Sequence, residues 1–326
     1  MNQPPTPPSE LSASPSPDGG SAPATTSPEQ APPPAGAPLT GVLHGVGAYL
    51  WWGFVTSFYF RWLKDVSPWE LLAWRVLGGL PVLLLMLWVR GDLASIRVAL
   101  RDKGTVRALL VSTLVIASNW FCFIYAVISG RLSEASLGYY INPLISVALG
   151  VVVLRERLRR LQGIAVVLAA AGVVVLTVGQ GSLPWIAIVI PISFALYGLM
   201  RKQMAAGPTT GLAMEMLALL PFMLALEISL AVAGKTLFIV DGEVTFGLVI
   251  GGVVTIVPLV LFASAARRLR LSTVGLLQYI SPTTQLALAV FAFGEAFTRA
   301  HAIAFTLIWI AVGVYTVDSL RAHRGR

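Results

Sequence analysis

Two short polar stripes are set in apolar sequence. Tyr139, Asn142 and Ser146 stand at i, i+3 and i+7, and Gln278, Ser281 and Gln285 repeat that spacing. On a helix each set lies along one face. Each stripe also carries a proline directly after its second member, Pro143 and Pro282. Proline has no N–H, so the carbonyls of Tyr139 and Gln278, four residues earlier, lose their helical donors. Within hydrocarbon such acceptors are tolerated only against protein or a water-filled cavity. The chemistry open to these stripes is hydrogen bonding, either to a solute in a cavity or as glue between helices that also carry two kinks.

The other residues able to do chemistry are isolated. Arg75 and Glu215 are charges inside apolar runs, which makes each a functional candidate. Each needs a local partner: Glu134 or Glu227 for Arg75, and Arg201 or Arg270 for Glu215. Arg75 could attract an anionic solute group or latch a gate, and Glu215 could be a proton-linked counterpart; the alternative for both is snorkelling to the nearer interface. Asn119 is a further mid-run polar group. Trp51, Trp52, Trp74, Trp120, Tyr140, Tyr197 and Tyr279 are either interfacial and packing aromatics or surfaces on which a solute could stack.

Much chemistry is excluded. The single cysteine, Cys122, rules out an intramolecular disulfide framework, a Cys-based zinc site and a Cys-ligated cluster. His44, His301 and His323 are too few and too scattered for a di-iron centre, so neither metal nor cofactor is expected. Gly234-Lys235-Thr236 resembles the end of a phosphate loop, but Ser229 stands where the earlier glycine belongs. An intramembrane enzyme would need a nucleophile with a positioned base, and none is visible. The Gly247–Gly251 GxxxG predicts close helix contact and says nothing of a substrate.

The elements that must position these residues follow from composition. Of 326 residues 56% are hydrophobic and 12% charged, with a mean hydropathy of +0.79. Residues 1–40 are a Pro/Ser-rich tail with no Lys or Arg, expected to be disordered, uncleaved and dispensable. From Gly41 onward, ten apolar runs of about 17 to 23 residues suit helices that cross some 30 Å of hydrocarbon. They cover approximately 42–60, 70–89, 108–128, 135–154, 162–178, 183–200, 212–233, 244–266, 273–293 and 301–318. Seventeen Lys and Arg fall in the loops after the even-numbered runs and in the basic tail 319–326, against five on the opposite side. The positive-inside rule therefore puts both termini in the cytoplasm. The net charge of +8 is a topology signal, and no nucleic-acid partner is expected.

The stripes belong to an internal repeat. At an offset of 139, LSEASLGYYINPLISVALG overlies LSTVGLLQYISPTTQLALA without a gap; at 140, Pro81 falls on Pro221 and Arg75 on Glu215. Glu156 likewise falls on Glu295 and reads as a hinge or loop pair. Residues 41–180 and 181–318 are thus two copies of a five-helix unit. Five is odd, so the copies must be inverted, an architecture shared by alternating-access carriers with a solute site at the repeat interface. The fold class is an all-α polytopic membrane protein of ten transmembrane helices in two inverted five-helix repeats.

Taken together, EASLGYYINPLISVALG, LRERLRRLQ, GSLPWIAIVIPISFALYGLMRK and VPLVLFASAARRLRLSTVGLLQYISPT resemble, in that order, the RarD group of EamA transporters in the drug/metabolite transporter superfamily. The resemblance covers about residues 41–318. It implies a bacterial inner-membrane permease, associated with chloramphenicol, exporting small amphipathic metabolites or drugs with a proton as a possible coupling partner. The substrate site so expected comprises Tyr139, Asn142, Ser146, Gln278, Ser281, Gln285, Arg75, Asn119 and Trp74. Arg75, Glu134 and Glu215 are the gating or coupling candidates, and Pro143 and Pro282 the helix breaks.

Overall fold

The structure, a computed structural model, describes residues 37–129, 131–180, 185–292 and 299–324. Most of the 1–40 tail, Glu295 and the chain end lie outside them. The described residues are helical, without strands. In chain order they form α1 (Ala37–Leu50), a π-helical turn (Trp51–Val55), α2 (Thr56–Trp62), α3 (Pro68–Leu77), α4 (Gly79–Val89) and a short interhelical α5 (Ala94–Arg101). Then come α6 (Lys103–Ile128), α7 (Leu132–Val152), α8 (Arg160–Gln180), α9 (Trp185–Gln203) and α10 (Pro208–Val232). The last are α11 (Gly242–Arg268), α12 (Leu271–Leu277), α13 (Ile280–Phe291) and α14 (Arg299–Arg324).

Among the described residues, seven stretches are long and apolar enough to cross a membrane: Pro68–Val89, Lys103–Val127, Glu134–Val152, Arg160–Val178, Trp185–Gln203, Pro208–Val232 and Gly242–Arg268. The remaining expected runs also fall on helix, in α1–α2, α12–α13 and α14. Large apolar side chains such as Leu85, Trp88, Leu114, Val167, Phe222 and Ile228 are exposed on the outside of the bundle, while polar Asn142, Gln278 and Glu215 are buried within it. That is the reverse of a water-soluble bundle, and it is stable only where the outer surface meets lipid.

Helix starts follow capping chemistry. Asp102 accepts from the N–H groups of Gly104 and Thr105 at the head of α6. Asp241 does the same for Glu243 and Val244 at the head of α11. Glu156 accepts from Leu271 N (2.6 Å) and Ser272 N (3.0 Å), and so anchors the start of α12 to the end of α7. This is the loop pairing expected for Glu156.

Helix pairing shows a regularity. α1 packs on α11 as α6 packs on α9, α7 contacts α9 as α13 contacts the π-helical turn, and α3 with α10, α7 with α12 and α8 with α14 are pairs of corresponding helices. Exchange of the two halves of the chain maps each of these pairings onto another or onto itself. α7 and α12 approach closely because Gly275 lacks a side chain: a Cβ there would sit 2.8 Å from the Pro143 carbonyl and 3.0 Å from Ser146 Cβ.

The two prolines behave differently. α7 runs unbroken through Pro143, whereas the corresponding stretch divides at Gln278–Tyr279, ahead of Pro282. The Gln278 carbonyl is also not left free: it accepts from Ser281 N at 3.1 Å. The expectation of a free acceptor there is therefore corrected, because a tight turn supplies the donor that proline removes.

Candidate functional site

A cavity of about 320 Å³ lies within the bundle. α7 contributes Tyr139 and Asn142, the α12–α13 junction Gln278, Ser281, Pro282 and Gln285, α3 Arg75, and α6 Asn119, Trp120 and Phe123. Tyr49, Trp52, Tyr59, Phe194 and Thr255 complete much of its wall. Tyr59 lies near the C-terminal end of the first run, Asn119, Trp120 and Phe123 in the C-terminal part of α6, Arg75 in the N-terminal part of the run 70–89 and Tyr139 in that of α7, while Tyr49, Asn142, Phe194, Thr255 and Gln278 lie near mid-span. The cavity thus runs from the middle of the bundle toward the end where α6 turns into α7 and α10 into α11, the end poor in basic residues.

The two stripes meet in this space with one member missing. Ser146 is buried at 1% exposure, wedged at the α7–α12 crossing against Gly275, and does not line the cavity. Asn142 Oδ1 and Gln278 Oε1 are buried and have no hydrogen-bond partner among the described residues. Buried amide oxygens are normally satisfied, so these two are positioned for a donor the protein does not supply. Gln285 Nε2 reaches only weakly, at 3.5 Å, to the Trp52 carbonyl and the Ser281 hydroxyl. Asn119 both joins helices and faces the cavity: Nδ2 donates to the Ile190 carbonyl (2.9 Å) and Ser193 Oγ (3.0 Å) of α9, and the residue also lines the cavity.

Among the described residues, Arg75 is the only Lys, Arg, His, Asp, Glu or Cys in the wall. Its Nε donates to Thr255 Oγ1 at 3.3 Å, and its guanidinium lies 4.6 Å from the Trp120 ring centroid. The expected carboxylate partner is absent. Glu134 is held by Arg131 at 2.6 Å. Glu227 lies 2.9 Å from the Thr236 hydroxyl, which also stands 2.7 Å from Glu70. No carboxylate of the described residues lies within ion-pair distance of Arg75. Trp74 is also outside the wall. Glu70 draws in the backbone N–H groups of Leu237 and Phe238, which packs the Phe238 ring against Trp74 with ring centroids 4.1 Å apart.

A second polar cluster closes the opposite half. Glu215 Oε1 accepts from the Ser112 hydroxyl and stands 3.6 Å from Arg201 Nη1, while Oε2 accepts from Tyr197 at 3.1 Å. Both charged side chains are buried, at 0% and 2% exposure. Arg201 also donates to the Pro208 carbonyl at 2.7 Å, while its Nε is buried without a partner among the described residues. Between this cluster and the cavity stand Tyr197 and Phe262, stacked at 6.2 Å. Arg201 was one of the two partners expected for Glu215.

The sequence stripes missed Tyr59, Thr255 and the hydroxyls of Thr56, Ser57 and Ser136 in the wall. Thr255 had a faint signal, a hydroxyl in the apolar run before Pro258. The π-helical turn that carries Trp52 to the cavity had none, although such turns recur at functional sites.

Residues 39–178 match the EamA-like transporter family. The chain is 40% identical to an uncharacterized transporter of Vibrio cholerae over 88% of its own length and 95% of the relative's. It is 41% identical to Protein RarD of Streptomyces exfoliatus, over 87% and 90%. A solved crystal structure that is 22% identical shares the fold, with a TM-score of 0.68 over 86% of this chain and 98% of the other. With an aromatic and amide-lined cavity inside a lipid-facing helical bundle and with relatives at this identity over nearly their full length, the chain belongs to the EamA-like transporter family, in its RarD group.

Proposed function

We propose that this transporter is a secondary, alternating-access carrier of small amphipathic solutes in the bacterial inner membrane, with both termini cytoplasmic, ten spans in two inverted five-helix repeats, and net export. One observation carries the reading: the cavity is walled by matching segments of both halves, with two amide oxygens left unpartnered in it. A solute bound where two such halves meet can be released to either side as they rock about it. At about 320 Å³ the volume is at the small end of ligand pockets, and its mixture of rings and amides suits a body that is part apolar, part polar.

The closed half supports the same reading. On the positive-inside orientation, the cavity lies toward the periplasm, and the Tyr197–Phe262 stack with the buried Arg201–Glu215 pair seals the cytoplasmic side. Opening inward requires that pair to separate or Glu215 to take up a proton, which makes Glu215 the candidate for proton coupling. Among the described residues the wall holds no nucleophile–base pair, so binding without chemistry fits it best.

The test is solute exchange by purified protein in liposomes, with chloramphenicol, given the RarD resemblance, among a panel of amphipathic metabolites. Exchange of at least one solute, slowed by Asn142→Ala together with Gln278→Ala, is expected. Failure of every solute to move down its gradient, from protein that is folded and inserted, would leave a scaffold or sensor instead.

A further inference from the structure

The cavity wall has one full charge and nothing to balance it. Arg75 commits Nε to Thr255 and sets its Cζ over the Trp120 ring. Neither Nη atom has a hydrogen-bond partner among the described residues, and the wall contains no Asp or Glu. A ring face and one hydroxyl do not neutralise a guanidinium in a low-dielectric interior, where an unpaired charge is expensive. The two carboxylates that could have served it are turned to Arg131 and Thr236. Its planar fork is therefore presented to the cavity, in the form that grips a carboxylate through two parallel N–H bonds.

The break ahead of α13 adds no second positive group: Ser281 N and Thr283 N donate to the Gln278 and Tyr279 carbonyls, and Pro282 has no N–H. Opposite requirements come from Asn142 Oδ1 and Gln278 Oε1, which line the same cavity and are acceptors in need of donors.

Taking the transport reading of this cavity as given, we infer that its solute is an organic anion: a carboxylate or similar oxyanion held by the Arg75 fork, an N–H or O–H donor reaching the Asn142 and Gln278 amides, and an apolar or aryl body among Trp52, Tyr59, Trp120 and Phe194. Arg75 is then a substrate-binding residue, and the gate-latch alternative falls with the missing carboxylate. The electropositive wall also sets selectivity, since a free amine would meet Arg75 with no anion beside it.

A matched pair of probes tests this: N-benzoylglycine, which carries ring, amide N–H and carboxylate, and neutral N-benzoylglycinamide. Binding is read from the unfolding temperature of the purified protein at constant ionic strength. The carboxylate should bind at least about 10-fold more tightly than the amide, as a charge-assisted hydrogen-bond pair requires. Arg75→Gln should abolish the preference, and Arg75→Lys should keep part of it, because the charge remains and the fork is lost. The wild-type comparison needs no variant and stands even if Arg75→Gln fails to fold. Equal binding of the two probes, no binding of the carboxylate up to about 10 mM, or a preference undiminished in Arg75→Gln overturns the inference. Exchange of neutral solutes in liposomes reads the transport reading separately. If neutral solutes exchange and the carboxylate does not bind, the anion assignment falls and the carrier stands.

Discussion

Asp102 and Asp241 stand 241 − 102 = 139 positions apart and do the same work. Each precedes a helix start by one residue and accepts hydrogen bonds from the N–H groups two and three residues on, Asp102 from Gly104 and Thr105, Asp241 from Glu243 and Val244. The separation equals the repeat offset of the polar stripes. The helices they cap, α6 and α11, begin at opposite ends of the bundle on the proposed topology. Corresponding caps at opposite ends are what an inverted duplication leaves behind.

These caps should be measurable. Asp102→Ala is expected to lower the unfolding temperature by about 2 °C at neutral pH, and Asp102→Asn, still a good cap, by less. The Thr105 hydroxyl, with the N–H groups of Thr105 and Gly104, holds the Asp102 carboxyl below its ordinary value. The native value being depressed, its stabilisation is present above the unfolded value of about 3.9 and is lost as pH falls through the native one. The gap between wild type and Asp102→Ala should therefore close in acid. An unchanged gap near pH 3 would assign the effect to packing instead of to the charged cap.

The Arg201–Glu215 pair is expected to be costly to break from one side. Glu215→Leu or Arg201→Leu alone strands a buried charge and should destabilise by about 3–5 kcal/mol, while the double change should cost much less than the sum. Gly211→Ala should reproduce part of the loss, because a Cβ at Gly211 would lie 2.9 Å from Arg201 Cζ. Additive single and double changes in denaturation experiments would show that the pair does not act as a unit.

In the cavity, Asn142→Ala and Gln278→Ala should each weaken solute binding by about 0.5–1.5 kcal/mol, with the fold intact. Gln285→Leu should narrow the space and impair larger solutes first. Ser146→Leu belongs to another class, since Ser146 fills the α7–α12 crossing against Gly275. Its effect should be on stability, from overpacking, at about 1–3 kcal/mol. Thermal unfolding beside ligand titration separates the two outcomes for each variant.

Orientation is open to compartment reporters. Fusions at Arg326 and near Gly181 should report opposite sides, the former cytoplasmic. The same answer at both positions would remove the inverted arrangement.

The amino-acid sequence alone determined what depends on composition, run length and periodicity. Long apolar runs must be helices, because lipid offers a backbone no partner, and the 139-residue offset pointed to two copies of one unit. The same offset drew attention to Tyr139, Asn142, Gln278, Ser281 and Gln285, and these do share one cavity. Tertiary structure decided everything that depends on which helix faces which. Ser146 has the spacing of a cavity residue, yet the missing side chain at Gly275 brings α12 against it and closes it off. Trp74 is on the cavity-bearing helix, yet Glu70 pulls in the 236–238 loop and covers it with Phe238. Arg75 and Glu215 are matched in sequence but not in setting, one with its fork open to the cavity and the other locked to Arg201. Periodicity tells which face of a helix a residue occupies; it cannot tell what that face meets, since contacts between helices far apart in the chain are set by packing across the whole bundle.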